Sequence, residues 1–214
     1  MVRVLLTYWF KINANKAAKV VLASTYNEHD IQEILINYWQ RYNKQRRDIP
    51  KTQTLGGSLM VHLAAMSTAF YEELINRGQK ESIATQLFYD IAWIVYQKMG
   101  KLSWSIAGWG NKNSYSKLLK ATKLFRAFPF NSPSYQWQDV KSEKDVVGFN
   151  CLKCPVANYF EIKGLSKFCA STWCALDYPL AEMWNAKLER TGSIAEGANQ
   201  CDFRWKVKND KVNV

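Results

Sequence analysis

Residues 201–207 read CDFRWKV. Cys201, Phe203, Trp205 and Val207 alternate with Asp202, Arg204 and Lys206, the period of a strand with one apolar face. Cys201 therefore points to the apolar side with Phe203 and Trp205, while Asp202 and Arg204 point the other way. Working outward, residues 186–194 supply a partner for a strand over 200–207. Tyr135, Trp137 and Val140, then Val146, Val147 and Phe149, predict an earlier pair turning at Ser142–Lys144. Between the pairs, Pro155 opens a short helix from a first-turn position. Pro179 opens or interrupts another near Ala181–Trp184.

The first 130 residues have a different period. Asn27 is an N-cap, and Ile31, Ile34, Leu35 and Tyr38 mark an amphipathic helix over 28–47. Leu55-Gly56-Gly57-Ser58 reads as a turn with Ser58 as the next cap. Leu59, Leu63, Met66, Phe70 and Leu74 then form a helical stripe that ends at Gly78. Ser82–Met99 is a third helix, stopped by Gly100, and residues 101–113 read as loop. Ser114–Ala127 is a shorter basic helix, and residues 1–26 show no clean period. The pattern predicts an α+β fold: a helical region over 1–130 packed on a cysteine-containing antiparallel sheet with short helices over 131–214, together one compact domain.

Composition narrows the function classes. The chain has 214 residues, 48% hydrophobic and 14% aromatic, enough for a sizeable core and too apolar for a disordered chain. No apolar run is long enough to span a bilayer, and Met1–Phe10 lacks the features of a secretory leader, so a cytoplasmic protein is expected. The net charge of +11 is unevenly spread: residues 1–150 hold 20 basic and 11 acidic groups, and residues 151–214 hold 9 and 7. Lys112, Lys117, Lys120, Lys123 and Arg126 form one basic cluster; Arg41, Lys44, Arg46, Arg47 and Lys51 form another. Trp39, Trp104, Trp109 and Tyr115 lie near them. No nucleic-acid-binding motif accompanies the charge, so these are read as solvated helix faces whose field draws in small anions. Nucleic acid is not an expected partner, and the oligomeric state stays open. His29 reads as exposed and His62 as a boundary residue. H-x-x-x-H, G-x-S-x-G, P-loop and G-x-G-x-x-G patterns are absent from the sequence.

All five cysteines, Cys151, Cys154, Cys169, Cys174 and Cys201, fall in the nearly neutral C-terminal stretch. An odd number without a leader argues against a disulfide framework. They read as reduced thiols, metal ligands or catalytic groups. Cys151-x-x-Cys154 with Cys174 and Cys201 supplies the four thiolates of a structural zinc site, although only one pair is tightly spaced. Three thiolates rather than four would leave an open position for a metal that activates water. No cofactor is fixed by the sequence, and zinc or another divalent metal is the candidate. A buried cysteine is also commonly an inert apolar side chain.

Three segments stand together: Cys154-Pro155 before a helix with Tyr159-Phe160; Cys174-x-x-Asp177; and Glu196-Gly197-x-x-x-Cys201-Asp202-Phe203-Arg204. With Gly56-Gly57 and the run from Ala69 to Gly78, they resemble the L-2-amino-thiazoline-4-carboxylic acid hydrolase family over roughly residues 50–208. The resemblance implies a hydrolase that opens a thiazoline-type cyclic cysteine derivative to an N-carbamoyl-cysteine-like product. It singles out Cys154, Cys174 and Cys201, with Cys151 and Cys169 as extras. Such chemistry needs a nucleophile at the carbon between nitrogen and sulfur, and a thiolate at a helix N-terminus, as at Cys154, is one source. Asp177, Glu196 or Asp202 could act as general base for water. Arg204 or Arg190 could hold the carboxylate of a small anionic, cysteine-derived substrate. The competing readings are a turn at Glu196-Gly197, a helix cap at Asp177, and a non-catalytic thiolate module that binds a metal or ligand.

Overall fold

The computed structural model describes residues 2–110 and 113–208. Lys112 of the first basic cluster lies outside them. α1 (Val2–Leu22) occupies the stretch with no clean period. It buries Phe10, Ala17, Ala18 and Leu22 while Val20 stays 70% exposed, so small residues inside and apolar ones outside erase the contrast that a helical stripe needs. α1 packs on α4. α2 (Glu28–Gln45) starts where expected, with the Asn27 side chain accepting from the Asp30 N–H at 2.9 Å.

α3 (Leu55–Asn76) begins earlier than the sequence suggests. Its cap is Thr54, not Ser58: the Thr54 hydroxyl accepts from the Gly57 N–H at 2.9 Å. The two glycines sit inside the first turn because the chain after α5 crosses there. A Cβ on Gly56 would lie 2.2 Å from the Pro129 carbonyl oxygen. At the other end, Gly78 takes φ +82° and stops the helix. α4 (Glu81–Gly108) runs straight through Gly100, so the expected stop at Met99 and the loop over 101–113 are corrected. Gly100 is a packing glycine: a Cβ there would meet Leu180 and Met183, and the Trp184 indole N–H donates to its carbonyl at 3.0 Å. α5 (Ser114–Ala127) is capped by Asn113.

The sheet is antiparallel, in the order β1 (Gln136–Val140), β2 (Val146–Lys153), β4 (Cys201–Val207), β3 (Ala186–Glu189). Register pairs Val147 with Trp205, Phe149 with Phe203 and Cys151 with Cys201. All six are buried, so one continuous apolar face meets the helices. β3 is shorter than the 186–194 expected, because the Asp202 carboxylate accepts from the Thr191 and Gly192 N–H groups and turns the chain away. Between β2 and β3 lie α6 (Pro155–Ile162), α7 (Ser166–Cys169), a π-helical turn (Ala170–Cys174) and α8 (Asp177–Met183). The fold is thus α+β, helical first and sheet-bearing at its C-terminal end. Among the described residues, no helix is long and apolar enough to cross a membrane.

Candidate active site: a thiol-lined cavity

A cavity of about 240 Å³ lies between the buried sheet face and the helices, and all five cysteines line it. Each reaches it by a different device. Cys151 and Cys201 face each other across β2 and β4, and the Cys201 sulfur accepts from the Ile194 N–H at 3.3 Å. Cys154 is the N-cap of α6, its sulfur accepting from the Ala157 N–H at 3.4 Å. Cys169 and Cys174 flank the π turn. Five residues apart on an α-helix they would point well away from each other, but a π turn brings i and i+5 together. Their thiols are close enough to interact, and the interaction favours the proton on Cys169.

This placement separates the thiols chemically. Burial pushes Cys154 up to about 12 despite the Ala157 N–H, and Cys201 up to about 11 despite the Ile194 N–H. Burial also raises Cys151. Cys169 is raised because its proton is held in the bond to Cys174, with burial adding to the effect. Cys174 goes the other way: the Cys169 hydrogen bond holds it below the ordinary thiol value against burial and Asp177, and the Arg190 charge helps. The helix N-terminus at Cys154, attractive in the sequence, is outweighed by desolvation.

Asp177 stands three residues beyond Cys174, in the first turn of α8, with its side chain 19% exposed. Burial pushes its carboxyl up to about 6, while the Arg190 charge and the Tyr96 hydrogen bond limit the rise. The Tyr96 hydroxyl donates to Oδ1 at 3.2 Å. Arg190, only 5% exposed, places Nη1 at 3.5 Å from Asp177 Oδ2 and donates from Nη2 to the Cys174 carbonyl at 3.2 Å. The cavity wall therefore carries a thiol held below its ordinary value, a carboxyl group pushed up to about 6 and a guanidinium.

Of the residues named from the sequence, Cys154, Cys174, Cys201, Asp177 and Arg190 line this cavity. Glu196 and Arg204 do not. Glu196 is exposed on a 3-10 turn and accepts from the Ser193 hydroxyl at 2.6 Å. Arg204 lies on the opposite sheet face, where its Nη1 donates to the Phe149 and Phe203 carbonyls and to Asn150 Oδ1. Asp202 is spent on the Thr191–Gly192 turn. The sequence reading missed Tyr96 and Tyr135 and set Cys169 aside. Cys169-x4-Cys174 was the visible signal, legible only once the π turn is known. Among the described residues, the only three metal-ligating side chains with all their ligand atoms within 4.8 Å of one another are His29, Asp30 and Glu33 on α2. The sulfurs of Cys154, Cys174 and Cys201 are not gathered that tightly.

The fold and site define a class: an α+β protein with a buried thiol-carboxyl-guanidinium cluster on one cavity wall. Within that class, the model of the L-2-amino-thiazoline-4-carboxylic acid hydrolase family matches residues 59–205. The chain belongs to that family. Its match begins within α3 and ends in β4, so it contains every cavity cysteine, Asp177 and Arg190. No curated protein matches the chain. Among solved structures, the crystal structure of the Fe(II) unliganded H-NOX protein from K. algicida is similar at 9% identity and a TM-score of 0.46, with 95% of this chain and 98% of that one covered.

Proposed function

We propose that this protein hydrolyses a thiazoline-type cyclic cysteine derivative, of the L-2-amino-thiazoline-4-carboxylate kind, with Cys174 as nucleophile and Asp177 as general base. One observation carries the assignment of roles: Cys174 is the cavity thiol held toward its thiolate form, and it lies beside Asp177 and Arg190. The family supplies the substrate type.

The steps balance. An amidine-like ring is protonated near neutral pH, which makes the carbon between nitrogen and sulfur electrophilic. The Cys174 thiolate adds to that carbon, the ring carbon–sulfur bond breaks, and the ring sulfur leaves as a thiol or thiolate still tethered to the product. Water then adds to the same carbon as Asp177 takes its proton, and the Cys174 thiolate is expelled. The carbon ends as the carbonyl of an N-carbamoyl-cysteine-like product. Arg190 contributes a fixed positive charge beside the developing anions and is a candidate contact for the substrate carboxylate.

The test is ring opening of L-2-amino-thiazoline-4-carboxylate, followed by free-thiol release and mass spectrometry, in wild type and Cys174→Ser. The proposal expects turnover in wild type and none above background in the variant, with Cys154→Ser and Cys201→Ser retaining most of it. A Cys174→Ser protein that folds and keeps full activity overturns the mechanism.

A further inference from the structure

Beside the thiols, the cavity is walled by a closed circuit of aromatic rings. Phe125 of α5 stacks near Phe130 at 5.8 Å, and Phe130 meets Tyr135 edge-on at 5.4 Å. Tyr135 stacks on Trp137 of β1 at 6.0 Å, and Trp137 reaches Phe203 of β4 at 6.2 Å. Phe203 continues to Trp205 at 6.4 Å and Trp205 to Trp184 at 5.6 Å. Trp184 closes the loop on Phe125 at 5.1 Å. Every member lines the cavity, and among the described residues no aromatic contact crosses the circuit.

A greasy core alone could be built this way, but two polar atoms are out of place in one. The Tyr135 hydroxyl and the Trp205 indole N–H are buried and lack a hydrogen-bond partner among the described residues. The two residues are 2% and 3% exposed. An orphaned buried donor is costly, and buried tyrosine and tryptophan ordinarily find a partner. The circuit also adjoins the reacting groups. Tyr135 lies near Cys154, Cys151 and Cys169, and the Arg190 guanidinium lies 5.5 Å from the centre of the Phe203 ring.

We infer that this chamber binds a planar aromatic portion of the ligand, with the Tyr135 hydroxyl and the Trp205 N–H donating to acceptor atoms on it. The inference deepens the hydrolase reading and rests on it for the substrate class: a cyclic thioimidate carrying a flat aryl group in place of the bare amino group. Flat faces pack between the rings of the circuit, and acceptors on the ring edge meet the two orphaned donors. Tyr135 is then a positioning and specificity residue.

Calorimetric titration of the full chain tests this with thiazoles, which cannot be ring-opened. 2-(Pyrimidin-5-yl)thiazole-4-carboxylate, whose flat outer ring carries two acceptor nitrogens on its edge, is compared with its 2-phenyl, 2-cyclohexyl and 2-amino analogues. The phenyl ligand is expected to bind at least about tenfold tighter than the cyclohexyl or amino ligand, and the pyrimidinyl ligand tighter still. Tyr135→Phe is expected to weaken the pyrimidinyl ligand about five- to tenfold, and the phenyl ligand little, without lowering thermal stability, since it removes an unsatisfied buried hydroxyl; Trp205→Phe is expected to weaken the pyrimidinyl ligand similarly. Equal affinity for the phenyl and cyclohexyl ligands, or unchanged affinity for the pyrimidinyl ligand in both variants, overturns the inference. The two readings fail separately. Aryl selectivity without ring opening of any thiazoline removes the hydrolase reading alone, and ring opening without aryl selectivity removes this one.

Discussion

At the residue scale, the decisive pair is Cys169 and Cys174. Removing the partner thiol with Cys169→Ala should let Cys174 drift back up toward an ordinary thiol value. The pH profile of Cys174 alkylation by iodoacetamide should then move to higher pH, while Cys154→Ala leaves it nearly in place. An unmoved profile in Cys169→Ala means that the hydrogen bond does not tune Cys174. Asp177 makes a second prediction. A general base works only when ionised, and its carboxyl is pushed up to about 6. Turnover should therefore rise with pH through about 6, and Asp177→Asn should lose roughly 10²–10⁴ in kcat and that limb of the profile with it. Retention of the limb in Asp177→Asn would assign it to another group. The sequence offered Cys174 and Asp177 as candidates through the family resemblance and Cys154 as one source of a thiolate, without choosing among the thiols. Burial works against Cys154, and burial is a property of the packed chain.

At the scale of elements, the helices were largely legible and their ends less so. Asn27 and Asn113 cap as their residue types suggest. Gly78 and Gly100 look alike in the sequence, yet one ends a helix with positive φ and the other lies inside α4 against Leu180. What a glycine is for depends on what crosses it, and that partner is 80 residues away in the chain. The same logic gives a prediction for α3. Gly56→Ala places a methyl group against the Pro129 backbone carbonyl, which cannot rotate aside as a side chain would. It should destabilise the fold by about 1–3 kcal/mol or more in urea unfolding, whereas Gly78→Ala should cost about 1 kcal/mol through backbone strain alone. Equal costs would show that the crossing after α5 yields easily. The π turn is the element the sequence reading lacked: an α-helical period puts Cys169 and Cys174 on different faces, so their spacing alone does not bring them together.

At the scale of the whole molecule, the buried Asp177 couples folding to pH. Its native value of about 6 lies above the ordinary carboxyl value, so between about pH 4 and 6 the native state holds more protons than the unfolded one. This group's contribution therefore favours the native state at low pH, falls as pH rises through that window, and levels off above it. The loss amounts to about 3 kcal/mol at most. Chemical denaturation from pH 4 to 8 should show this descending component in wild type, and Asp177→Asn should lack it. An identical pH slope in both proteins refutes the coupling. The basic surface is likewise partly spent within the molecule: Arg41 pairs with Glu73, Arg126 with Asp139, and Lys117 lies over the Trp104 ring at 3.9 Å.

By itself the sequence determined the order of helices and strands, the apolar faces that join them, and the confinement of every thiol to the C-terminal region. Those are local properties: period, caps and composition act within a few residues of themselves. The tertiary structure decided which thiol is held below the ordinary thiol value, that Arg190 rather than Arg204 lines the cavity, and that aromatic rings from α5, β1 and β4 line it too. These depend on desolvation and on contacts between segments far apart in the chain. Only packing creates either, because a side chain's electrostatic surroundings do not exist until the chain folds around it.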